Sequence, residues 1–128
     1  MHAPNSYDYA LIRLVPSVER GECLNVGVLL FCRTLCFLGA RIHLDEKRAL
    51  ALAPDLDLAA VQDQLDTMAL ICKGEPAAVP LGKMSQSERF HWLVSPRSTI
   101  IQISPVHMGL CDDPEATLEQ IFKAMVFL

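Results

Sequence analysis

Polar side chains crowd two short stretches of an otherwise apolar chain, and any chemistry should be sought there. The first is Glu19-Arg20-Gly21-Glu22, with Asn25 and Gly27 close behind. Two carboxylates flanking a guanidinium can bind a cation, orient a basic peptide, or move protons once burial shifts a pKa. The same composition also makes an ordinary solvated hairpin turn, which is the plainer explanation. Asn25 and Gly27 are harder to dismiss, because both are poor strand formers set in an apolar strand. Gly27 therefore marks a bulge or a close backbone approach, and a buried Asn25 must find hydrogen bonds. The second stretch runs from Pro96 to Pro114 and carries Arg97, Ser98, Gln102, Ser104, His107, Asp112 and Asp113. Arg97 suits a carboxylate or phosphate in bidentate geometry, and His107 is a residue type that can serve as acid or base. Together they suit an anionic ligand. Structural roles compete with that: Asp113 as the cap before Pro114, Ser98 and Thr99 as hydroxyls at the start of a strand, Gly109 as a turn. His107 with Cys111 would make an activated thiol only if the two side chains meet and a third group orients the imidazole. An inert buried thiol is the commoner role for such a cysteine.

Composition narrows the classes further. The formal net charge is −4 across 128 residues, which gives no footprint for non-specific binding to phosphate backbones, so nucleic acid is disfavoured. Five cysteines (Cys23, Cys32, Cys36, Cys72, Cys111) form an odd set without a Cys-x-x-Cys pair and read as reduced, mostly buried thiols. Cys32 and Cys36 with His43 fall short of a four-ligand zinc site, so no metal is expected. Nothing matches a cofactor fingerprint. The start of the chain, Met1 to Ser6, lacks a basic-then-apolar leader, which points to the cytoplasm. The longest apolar run, Val26 to Cys32, is far short of the ~20 residues a membrane-spanning helix needs. At 52% hydrophobic and 20% charged, the chain is more apolar than an average soluble domain, and the surplus suits an interface with a partner or in a homodimer.

The elements that must position these residues follow from periodicity. Tyr7 to Pro16 alternates, with Tyr9, Leu11, Arg13 and Val15 on one side and Ala10, Ile12 and Leu14 on the other. Leu24 to Cys32 is apolar on both faces, as a central strand is. Cys36 to Leu44 alternates again, completing an antiparallel meander. Arg13, Arg41 and His43 would then share a face, read as solvated. Asp45 opens a short helix that Pro54 stops, and Asp57 caps a longer one ending at Gly74. Residues 74–83 read as an exposed loop, after which Ser85-x-x-Glu88 makes a capping box for a third helix. Thr99 to Ser104 is a fourth strand, and Pro114 begins a final helix. The chain reads as one domain over 1–128: α+β, a mostly antiparallel sheet of a three-stranded meander plus a later strand, with helices packed on one face.

The residues Tyr7-Asp8-Tyr9-Ala10, then Glu19-Arg20-x-Glu22-x-x-Asn25-Val26-Gly27-Val28-Leu29-Leu30-Phe31-Cys32, then Pro96-Arg97-Ser98-Thr99-x-Ile101-Gln102-x-Ser104-Pro105-Val106-His107-x-Gly109-Leu110-x-x-Asp113-Pro114 carry a resemblance over nearly the whole chain. It is to the domain-of-unknown-function family DUF3037, small bacterial proteins. The resemblance implies a partner, because similar members are often encoded beside a protein resembling a persistence-toxin-type serine/threonine kinase. Two functions follow. The leading one is a binding or regulatory module for that kinase-like protein, using Glu19, Arg20, Glu22, Asn25, Arg97, Ser98, Gln102, Ser104, His107 and Asp112. The alternative is an enzyme on a phosphoester or nucleotide, with Arg97 holding the anion and His107, Glu19 or Glu22 transferring protons. The second requires those side chains to converge.

Overall fold

The computed structural model describes residues 5–74, 84–95 and 99–127. Arg97 and Ser98 lie outside them. Strands β1 (Asn5–Leu14), β2 (Leu24–Cys32) and β3 (Phe37–Ile42) form the expected antiparallel meander. Two further strands, β4 (Ile101–Ile103) and β5 (His107–Cys111), both pair antiparallel with the other side of β1. The sheet is thus ordered β3-β2-β1, with β4 and β5 end to end in the outer position. This is the α+β architecture with a mostly antiparallel sheet.

A bulge in β2 decides which side chains reach which face. Ile12 pairs with Gly27 but Arg13 with Asn25, so Val26 is an extra residue. Without that shift Leu24 would turn away from the apolar layer holding Ile12 and Leu14; with it, Leu24 and Val26 join that layer. Gly27 is required there by contact. A Cβ would stand 2.9 Å from the Arg41 carbonyl oxygen and 2.9 Å from Ile12 Cδ1.

Helices α1 (Glu46–Leu52), α2 (Leu58–Lys73) and α3 (Gln86–Val94) share one face of the sheet, where Val61, Leu65, Phe90 and Leu93 pack on Ile12, Leu29 and Phe31. The opposite face carries α4 (Pro114–Met125), whose Leu118 and Phe122 pack on Leu11, Val28, Leu30 and Cys32. That explains why β2 is apolar on both sides. Each helix starts at a side chain that takes an orphan backbone N–H: Asp45 from Arg48, Asp57 from Ala60, Ser85 from Glu88 and Asp113 from Ala116. Such caps contribute roughly 1 kcal/mol each. Gly74 ends α2 at φ 71°, in the left-handed region where glycine has no steric penalty. Arg41 and His43 share the α4 face with Arg13 and stay exposed, but both are engaged by neighbouring side chains. Arg41 donates to Glu119 at 3.0 Å and sits 4.9 Å from the Phe122 ring centre, and His43 packs 5.0 Å from Phe127.

Between β4 and β5 the register on β1 slips by one residue, from Ile12↔Ile103 to Tyr9↔His107. Pro105 lies at the slip and has no N–H to give to a ladder. Ser104 repairs the gap. Its N–H donates to the Leu11 carbonyl at 2.9 Å, the Leu11 N–H donates back to Ser104 Oγ at 2.8 Å, and the hydroxyl donates to the Pro105 carbonyl at 2.9 Å.

Candidate functional site

The outer position of the sheet is where the structure concentrates unusual exposure. In β5, Met108 is 76% and Leu110 66% exposed, and Val106 just before the strand is 42% exposed. By alternation all three point to the face that carries α1–α3, opposite Ser6 and Asp8 in the register. Among the described residues, β5 pairs only with β1, so its far edge is open. On the other face, Tyr7, Tyr9 and His107 make a ledge, with centroids 6.1 Å apart for Tyr7–Tyr9 and 5.2 Å for Tyr9–His107. Gly109 lies beneath the Tyr7 ring, which occupies the space a Cβ would need. The turn expected at Gly109 is thus the middle of a strand, and its missing side chain is filled from the neighbouring strand.

The polar residues expected to work together are dispersed. Glu19, Arg20 and Glu22 are exposed in the β1–β2 connection, where Arg20 is ion-paired to Glu22. His107 stands opposite Tyr9, whereas that connection begins beyond Leu14, five residues or about 17 Å further along the strand. Proton transfer between His107 and Glu19 or Glu22 is therefore not supported by their placement. Asp112 is exposed, and Asp113 is used as a cap. Ser104, 3% exposed, is fully engaged in the sheet repair and offers no group to a ligand. Cys111 is buried against Leu118 and Cys32, and desolvation holds its thiol above the usual range, the reverse of what an activated nucleophile needs.

Asn25 and Gln102 do come together. Both flank Arg13 in the register, one from β2 and one from β4, on the α4 face. Asn25 Nδ2 donates to the Met125 carbonyl at 3.1 Å, tying β2 to the last turn of α4, while Gln102 Nε2 donates to the Thr99 carbonyl at 3.2 Å. This cluster locks an element in place, with its amides already committed to backbone groups.

Sequence reasoning missed Val106, Met108 and Leu110. The alternation of Val106, Met108 and Leu110 was the available signal, hidden because it faces water instead of a core. No helix among the described residues is long and apolar enough to cross a membrane. No curated protein and no solved structure matches the chain. The family described as "Protein of unknown function (DUF3037)" matches residues 9–126, so the chain belongs to the DUF3037 family.

Proposed function

We propose that this protein is a protein-binding module whose working surface is the open edge of β5, on which a segment of a partner adds as a further strand. One observation carries this: Met108 and Leu110 project into solvent from an edge strand with no lysine to guard it. Natural edges are normally protected by charge, proline or a covering element, and exposed apolar patches mark contact surfaces. In strand addition the backbone supplies the hydrogen bonds and alternate side chains the specificity, and here the alternate side chains are apolar. The partner we propose is the kinase-like protein expected from the resemblance described above, met in the cytoplasm, with the module acting by occupying or presenting a segment of it. Calorimetric titration of that purified protein into the wild type and into Leu110→Lys tests the proposal. Binding should weaken at least about tenfold in the variant, since a lysine at a desolvated apolar contact costs more than ~1.4 kcal/mol. Equal affinity for both proteins, or no binding to either, would contradict it.

A further inference from the structure

We infer that in the isolated protein the β5 edge is occupied by β5 of a second copy, the two strands running antiparallel about a two-fold axis at Gly109. This rests on β5 being the docking edge and adds what covers it when no other partner is bound. The sheet has two outer edges, and they differ. The β3 edge lies in a groove of about 220 Å³ walled by α2 through Ala69 and Lys73 and by α4 through Glu115 and Glu119, so it is shielded and charged. The β5 edge has no apolar cover over Met108 and Leu110. Self-association of β5 with β3 of another copy would leave the same two edges free and propagate, whereas β5 with β5 closes after two copies.

The side chains fit that closed arrangement. Opposite residues in an antiparallel pair must share a face, and centring on Gly109 sets Met108 against the partner's Leu110, and Leu110 against the partner's Met108. Four exposed apolar side chains are covered at once. On the ledge face, His107 falls opposite the partner's Cys111, one diagonal step from the partner's Asp113, so the strand's one basic group approaches an acid. Asp112 falls opposite the partner's Val106, and no like charges are directly opposed. Two Gly109 residues meet on the axis, each covered on the ledge face by the Tyr7 ring of its own copy. A five-residue strand pair is a small interface, below the ~1,200 Å² at the low end of stable ones, so the dimer is a weak, concentration-dependent one.

Sedimentation velocity of the full chain from about 1 µM to about 1 mM tests this, with thermal melts confirming that each variant folds. The wild type should pass from monomer to dimer with rising concentration. M108K and L110K should each weaken self-association at least tenfold, and M108K/L110E should restore it, because that double change sets an ammonium opposite a carboxylate at both pairs. A wild type that stays monomeric, a dimer indifferent to L110K, or a folded M108K/L110E that stays monomeric would each overturn the inference. A monomeric wild type that still binds the kinase-like protein in an L110K-sensitive way would overturn this inference alone and leave the docking edge standing.

Discussion

Ser104 shows how a residue that looks like a ligand group can be consumed by the fold. Its Oγ accepts the Leu11 N–H at 2.8 Å, in a position where Pro105 prevents a regular ladder. Replacing it with alanine leaves that buried N–H unsatisfied, and Ser104→Ala should lower stability by about 1–3 kcal/mol in urea denaturation. An unchanged midpoint would show that the hydroxyl does not repair the sheet. Cys36 presents the opposite case. It closes the β2–β3 turn at φ 52°, where an L side chain is strained, so Cys36→Gly should raise stability by roughly 1 kcal/mol, read from the same denaturation midpoint. Neither role was legible from residue type, because sequence does not say which backbone group a hydroxyl will meet or which turn residue takes the left-handed conformation. Asn25 and Gly27 were legible: polar and flexible residues inside an apolar run must have a local reason. One holds α4 through Met125, and the other admits the Arg41 carbonyl.

Elements that bury an apolar stripe were the easiest to read. The helix starts at Asp57, Ser85 and Asp113 were legible from capping chemistry together with periodicity, and the start at Asp45 from acidic charge at the positive end of the helix dipole. The meander followed from alternation in β1 and β3 around a β2 buried on both sides. What stayed hidden was β5. Its glycine and methionine are weak strand formers, its apolar side chains face solvent, and it exists because β1 is long enough to pair with two short strands in succession. A bulge or a close backbone approach was expected at Gly27; both occur there, but the effect of the bulge, bringing Leu24 and Val26 into the layer of Ile12, needed the register. Gly27→Val should force the bulge against Ile12 and the Arg41 carbonyl and cost about 1–3 kcal/mol, measurable by thermal unfolding. Tolerance of valine there would mean that the β2–β3 approach is looser than described.

At the scale of the whole molecule, the apolar surplus fills two core layers on either side of the sheet, and of the large apolar side chains left exposed among the described residues Met108 and Leu110 are the most open. The cores make a prediction about thiols: Cys23 and Cys36 are exposed while Cys32, Cys72 and Cys111 are buried and unpaired. Native protein should therefore react at two thiols with a disulfide reagent and at all five once unfolded. Burial pushes the Cys72 thiol up to about 12 against a weaker opposing pull from Arg89, and raises the Tyr7 phenol and the Cys111 thiol as well. Below about pH 7 these groups are protonated in both folded and unfolded chains and do not affect the balance. Above it the unfolded chain releases its protons first, so stability should fall as pH rises toward about 12. Urea midpoints at about pH 8 and about pH 10.5 check the sign, and a higher midpoint at the alkaline value would refute it.

If the open edge of β5 is where a partner strand docks, hydrogen–deuterium exchange on this protein with and without the proposed kinase-like partner will show it. Slowed exchange centred on the amides of residues 107–111 is the expected result, since an added strand must hydrogen-bond the open side of β5. Protection confined to the Glu19–Glu22 connection, or none anywhere while the complex forms, would contradict it.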